Sequence, residues 1–315
     1  MIDLSNECAD LFASILVCGN AAVDMTFVVE RYPGPNEKCS SLEFSRRPGG
    51  QGVNMAIVAA RLGADCALIS KVGGDHDGEL VLAELARYGI LSTGVIRQAD
   101  GRTPIVSVIV DRPQATRACV HDKTGISPLA IDEIDLSDVP DSRFFLLDGR
   151  FAEVCLALAD LARAHRARVV VTIERMTEQN RRLASLADTL IMPGSLVQAE
   201  NPGLDIVTSG HALRSELGVP NLIATLGADG CTVSGFDETL RLNGFPADVS
   251  DTVGAGDAFA AATTVALAWG WTVSKAAEFG NYVGARACEG SESRWERIPS
   301  RPTAAHALEL MSQVT

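Results

Sequence analysis

Short β-branched or apolar runs alternate with longer Ala/Leu-rich segments of helical period almost throughout this 315-residue chain. SILVC (14–18), CALIS (66–70), FFLL (144–147), RVVVTI (168–173), TLIM (189–192) and NLIAT (221–225) are too short for helices. They are apolar at successive positions, as strands buried on both faces must be. Between them VNMAIVAARLG (53–63), GELVLAELARYG (78–89), FAEVCLALADLARAH (151–165), the segment beginning at Gly254, and KAAEFGNYVGARAC (275–288) place apolar residues at helical spacing. Strand and helix in turn predict an α/β fold, a mainly parallel sheet with helices on both faces. Two stretches, 36–46 and 103–121, break the pattern and alternate like half-exposed strands, the second turning at DRPQ. They predict a small antiparallel flap inserted into one domain spanning 1–315.

Composition removes several classes of function. A net charge of -13 with no Lys/Arg run argues against nucleic acid and anionic membranes as partners. An acidic chain can still bind a phosphorylated ligand, but only through a local device such as a helix N-terminus. The eight cysteines are scattered, with no CxxC pair for zinc and no dense disulfide framework. No stretch approaches the roughly 20 apolar residues that cross a bilayer, and no basic region precedes the first apolar run. A reducing cytoplasm is the expected compartment. None of the four lysines (Lys38, Lys71, Lys123, Lys275) follows a glycine, so there is no Walker loop, and protein-kinase, GxGxxG and GxSxG signatures are absent too. The five histidines lack metal-ligand spacing, although His121 in the second flap stretch is placed to touch a ligand.

DTVGAGD, Asp251 to Asp257, heads the apolar run AFAAATTVALAWGW. A helix N-terminus exposes unpaired N–H groups and partial positive charge, and small residues there admit an anion to the main chain. Gly254, Ala255 and Gly256 suit that use, whereas Asp257 would repel an anion unless it has chemistry to perform beside one. A second cluster, RPGGQGVNMA, joins the first flap stretch to a helix. Its glycines serve either a tight turn or the close approach of a ligand. Asp24, placed just past the first strand, either caps a loop or holds hydroxyl groups at the carboxyl end of the sheet. TLGADG, Thr225 to Gly230, is either a hairpin turn or a loop whose Gly227 and Gly230 approach a nucleotide.

Taken in order, GGQGVNMA, KVGGDHDGELVLAELARYGI, TLGADG and DTVGAGDAF resemble the signatures of the ribokinase-like, or pfkB, carbohydrate kinases over nearly the whole chain. The resemblance implies an α/β/α sandwich with a β-flap lid and transfer of the ATP γ-phosphoryl group, with Mg²⁺, to a sugar hydroxyl. Asp257 would then be the general base, with Gly254, Ala255 and Gly256 forming the anion hole. Asp24, Gly50, Gln51 and Asn54 would line the sugar site, and Thr225, Gly227 and Gly230 the ATP site. Asp251 and the Val253 carbonyl match positions that bind a monovalent cation such as K⁺, completed from CEGSESRWE (288–296). Two departures stand out. PGSLVQ (193–198) replaces the Asn-x-x-Glu that helps place Mg²⁺ in many members, and Gln51 stands where ribokinases usually carry Lys.

YPGPNEK, TRACVHD, LLDGRFAE and VVVTIER are similar to the ketohexokinase and sulfofructose kinase branch. Arg117, Asp148 and Arg150 would face the sugar there, and the two arginines suit an anionic hexose, unless they pair on the surface. A ketose is the expected acceptor. Alternatives are ribose, a nucleoside or a sugar phosphate and, in another class, a non-catalytic sugar or nucleotide sensor. Exposed flap edges predict a homodimer.

Overall fold

In the computed structural model the described residues are 14–114, 116–236, 239–289 and 295–314. The central sheet has nine strands: β1 (Ser14–Cys18), β4 (Asp65–Gly73), β5 (Val95–Gln98), β8 (Phe144–Leu147), β9 (Arg168–Thr172), β10 (Thr189–Pro193), β11 (Asn221–Thr225), β12 (Cys231–Ser234) and β13 (Thr239–Leu242). Their spatial order is β13-β12-β11-β10-β9-β8-β1-β4-β5. Every ladder from β5 to β11 is parallel, and β12 and β13 add an antiparallel edge. Strand β1 shows why the apolar runs are continuous. Ile15 and Val17 belong to one core and Leu16 and Cys18 to the other, so neither face of the strand meets water.

Helices α1 (Gln51–Arg61), α2 (His76–Arg87), α7 (Ala255–Ala268), α8 (Val273–Ala287) and α9 (Ala304–Ser312) cover the first face. Helices α3 (Ala152–Ala164), α4 (Glu178–Ala184), α5 (Gly194–Glu200) and α6 (Ile206–Leu217) cover the second. Helix α7 is apolar almost all round and is buried from Ala258 to Ala266. Its Ala and Thr residues leave room for α8, where a Cβ added at Gly280 would stand 2.4 Å from Thr263 Oγ1.

The chain leaves β1 for β4 on one side and returns to β8 on the other. That reversal beside β1 opens a crevice at the carboxyl ends of these strands, where open α/β sheets bind ligands. Over it lies a second sheet, ordered β3-β2-β6-β7: β2 (Ala22–Val29), β3 (Glu43–Gly49), β6 (Ile105–Asp111) and β7 (Thr116–Asp122). The β6–β7 hairpin turns at DRPQ, where Asp111 accepts from the Gln114 amide. The β2–β3 and β6–β7 ladders are antiparallel, and the central β2–β6 ladder is parallel.

The flap strands differ from the sequence expectation in two places. Residues 36–42 form no strand and are exposed, and the first stretch pairs over 43–49 instead. The segment holding Asp24, expected to be a loop after β1, is the flap strand β2. Its inward residues cover the site rather than an extended core, so its hydrophobic alternation is interrupted by Asp24 and reads poorly.

Candidate active site

At the crevice the chain makes two helix heads of the same design. Gly50 caps α1 with φ 88°, and Gly254 caps α7 with φ 80°, both in the left-handed half of the map that glycine enters without a Cβ clash. In each the second helical residue is again glycine, Gly52 and Gly256. The surroundings differ. A Cβ at Gly52 would lie 2.5 Å from the carbonyl carbon of Gly19, and one at Gly49 would lie 2.4 Å from Asp24 Oδ2. At Gly256 it would meet nothing within 4 Å. The first-turn amides of α7 have no helical carbonyl behind them, and they open on this space. A glycine inside a helix costs about 1 kcal/mol relative to alanine, and at 256 no neighbouring protein atom requires it.

Asn54 on α1 joins the two heads: its Nδ2 donates to Asp257 Oδ2 at 2.8 Å. Asn54 is 3% exposed and its Oδ1 has no partner, so its amide is oriented by the Asp257 carboxylate and a polar acceptor remains beside it. Val253 packs against the flap core, and its amide donates to Asp251 Oδ1 at 2.8 Å, which fixes the turn into α7. Of the segment 288–296 expected to complete a cation site, residues 290–294 lie outside the described residues.

A chain of polar contacts leads from Asn54 to β8. One turn back on α1, the Gln51 amide donates to Asn20 Oδ1 at 3.2 Å and Gln51 Oε1 accepts from Arg150 Nε at 3.1 Å. Arg150 also pairs with Glu174 through Nη2 at 2.7 Å. Asp148, buried at the end of β8, accepts from the amides of Asn20 and Arg150 at 2.9 and 2.8 Å, one on each oxygen. Burial pushes its carboxyl up to about 6, against the opposing effect of those two amides. Asp148 thus ties the loops after β1 and β8 together and aims their residues at the crevice. Asn20 escaped the sequence reading, though its place directly after the central strand is the signal that would have found it. Asp24 is 4% exposed on β2, its carboxylate against the Gly49 backbone.

Two hollows flank this network. One, of about 690 Å³, is bordered by Thr225, Gly227 and Gly230 of the β11–β12 hairpin, by Ala255 and Gly256, and by Arg117. Gly227 and Gly230 both have positive φ, and a Cβ at Gly230 would lie 2.1 Å from the Leu242 carbonyl, so TLGADG is a hairpin turn as well as a wall of the cleft. The other, of about 240 Å³, lies beneath the flap and is lined by Asn20, Ala22, His121, Lys123, Arg150 and Phe151 among others. Strand β7 spans both: Arg117 borders the larger cleft and bonds Thr252 Oγ1, and His121 borders the smaller. Arg117 and Arg150, paired in the sequence reading, therefore line different hollows. PGSLVQ lies beside the larger cleft, at the β10–α5 junction, and brings no carboxylate there.

The sequence profile of the pfkB family carbohydrate kinases matches residues 13–296. The chain belongs to this family. It is a phosphotransferase of the sugar kinase type. The pfkB assignment agrees with curated relatives: mouse ketohexokinase is 25% identical over 288 residues, covering 87% of this chain and 95% of the mouse protein. Bacillus subtilis ribokinase is 26% identical over 322 residues, covering 95% and 99%. Among solved structures, Thermotoga maritima ribokinase superposes with a TM-score of 0.78 at 23% identity, covering 96% of this chain and all of that one. Arabidopsis thaliana ribokinase, complexed with ribose and ATP, superposes with a TM-score of 0.78 at 21% identity, covering 95% and 98%. These structural likenesses carry the α/β fold and the small second sheet.

Proposed function

We propose that this pfkB kinase transfers the γ-phosphoryl group of ATP to a hydroxyl of a ketose or related sugar bound beneath the flap. The observation that carries this reading is the junction of the two helix heads, where Asn54 holds the Asp257 carboxylate beside the open first turn of α7. The acceptor hydroxyl gives its proton to Asp257 as its oxygen forms a bond to the γ-phosphorus. The bond between that phosphorus and the β–γ bridging oxygen breaks, and ADP leaves with the electron pair. Charge on the equatorial oxygens meets the amides of Ala255, Gly256 and Asp257, preorganised donors that need no rearrangement at the moment of transfer.

The smaller hollow takes the acceptor, with Asn20 and Arg150 on its wall and Asp148 fixing Arg150; Gln51, bonded to Arg150, leads along α1 from Gly50 to Asn54, and Asp24 lies against Gly49. The larger takes the nucleotide, with Thr225, Gly227 and Gly230 on its wall and Arg117 reaching in from the flap. Among the described residues no three His, Cys, Asp or Glu side chains are grouped to hold a metal ion. Mg²⁺ would arrive on the nucleotide phosphates, as it commonly does. Asp251 and Val253 remain the protein's side of a K⁺ site.

The test is ADP release from Mg-ATP over ketohexoses, aldopentoses, sugar phosphates, acidic and sulfonated sugars, and nucleosides. Turnover confined to one sugar class is expected, and ATP binding with no acceptor in the panel would favour a sensor. The exposed Phe44 and Val120 on flap edge strands β3 and β7 support a homodimer joined through this sheet. Light scattering should then give twice the chain mass, and a monomer at working concentration refutes it.

A further inference from the structure

The hollow beneath the flap holds more positive charge than a neutral sugar requires. Four of its lining side chains, Lys71, His121, Lys123 and Arg150, are basic, in a chain with only four lysines and a net charge of -13. Lys71 is satisfied, with Nζ 2.7 Å from Glu133 Oε1 and 2.8 Å from Ser127 Oγ. The other three converge without full compensation. Lys123 has no ion pair among the described residues. Arg150 uses Nε on Gln51 and Nη2 on Glu174 and keeps Nη1. The one lining carboxylate, Asp122, accepts from the amide and hydroxyl of Thr124 at 2.9 and 2.7 Å. Apolar walls from Pro104, Ile105, Ile126, Pro128 and Phe151 strengthen every charge inside.

The three basic groups disturb one another, and His121 is left a neutral donor beside the Lys123 and Arg150 cations. Partial withdrawal from water, and then Arg150 and Arg175, hold the Lys123 ammonium below its ordinary value, while Glu174 and Asp148 work in the opposite direction. Withdrawal from water, and then Lys123 and Arg150, do the same to His121, while Asp24 and Glu174 work in the opposite direction. A protein gains nothing in the ligand-free state by gathering like charges against an apolar wall. The arrangement becomes favourable when an anion enters.

Resting on the sugar kinase reading above, we infer that the acceptor carries an anionic substituent, a carboxylate, sulfonate or phosphate, seated between Lys123, His121 and Arg150. On this reading the anion sits at the Arg150 end of the acceptor, away from the hydroxyl beside Asp257. Gln51, which Arg150 grips, and Asn54, which holds Asp257, are separated by about one turn of α1, roughly 5 Å along the axis. A hollow of about 240 Å³ has room for one monosaccharide with such a group. Arginine contributes planar recognition of the anion, and Lys123 a mobile point charge from the end of the flap.

The probes are D-fructose and its counterparts with a carboxylate, a sulfonate or a phosphate at carbon 6, assayed by ADP release with the full-length enzyme. The inference predicts a kcat/KM at least tenfold higher for one anionic counterpart than for fructose. It also predicts that Lys123→Met lowers the anionic-to-neutral ratio at least tenfold, chiefly through KM. A preference for fructose over all three, or a ratio unmoved in both Lys123→Met and Arg150→Met, overturns it. Calorimetric titration of the same probes with an unreactive ATP analogue bound reads the subsite without turnover, and equal or absent affinity for charged and neutral probes overturns it there. Selective binding of the charged probe with no ADP release from any acceptor would uphold the subsite and count against the kinase reading, so the two failures are distinguishable.

Discussion

Helices α1 and α7 begin alike, with a left-handed glycine cap followed two residues later by a second glycine, yet the two heads are filled by different things. At α1 the space beside Gly52 is occupied by the backbone of Gly19, and behind it Asp148 gathers the loops after β1 and β8. At α7 the space beside Gly256 is empty. The same local sequence thus serves internal packing in one place and leaves open space in the other, which the proposed function fills with the phosphoryl group. A Gly-rich turn by itself does not say which. The difference lies in what the rest of the fold brings within 4 Å.

Substitutions at the matched positions should split accordingly. Gly52→Ala forces a methyl onto the Gly19 backbone and should destabilise the protein by about 1–3 kcal/mol, read from the denaturant midpoint. Unchanged stability would mean the two loops are not locked together. Gly256→Ala should do the opposite, leaving stability unchanged or raising it by about 0.5–1 kcal/mol, because alanine is the better helix former. Its turnover should nonetheless fall at least tenfold, about 1.4 kcal/mol in barrier, as the methyl occupies the phosphoryl position. Full activity in Gly256→Ala would refute the anion hole.

A smaller effect comes from Asp148, the anchor of the packed head. Its folded carboxyl, at about 6, is raised from an ordinary 3.8. The folded state therefore binds the proton more tightly, and this stabilisation is fully present below about pH 3.8 and lost as pH rises through 6. Between pH 4 and 6.5 the stability of Asp148→Asn should lose less than wild type does. Parallel curves would show that Asp148 titrates normally.

The parallel strands were legible because burial on both faces makes them continuously apolar, and the α7 head because DTVGAGD precedes an unbroken apolar helix. The flap was legible only in part. Residues 36–42 alternate without pairing, and β2 carries Asp24 where a plain strand would be apolar. The members Gln51, Asp148 and Arg150 were legible through the resemblance, but the contacts that join them were not. The Arg150–Gln51 bond spans 99 residues and the Asn54–Asp257 bond spans 203, so these contacts exist only once the sheet has brought the loops together. Arg117 and Arg150 show the same limit: they were expected side by side, and strand β7 sets Arg117 on the larger cleft while Arg150 lines the smaller hollow.

The central claim is that Asp257, held by Asn54 at the open end of α7, takes the proton of the acceptor hydroxyl. The direct measurement is Asp257→Asn, with ATP affinity by calorimetry and kcat by ADP release on the best acceptor. Loss of kcat on the order of 10²–10⁴-fold, with ATP affinity kept within a few fold, is the predicted result for a general base. Turnover at the wild-type rate in Asp257→Asn would contradict the account.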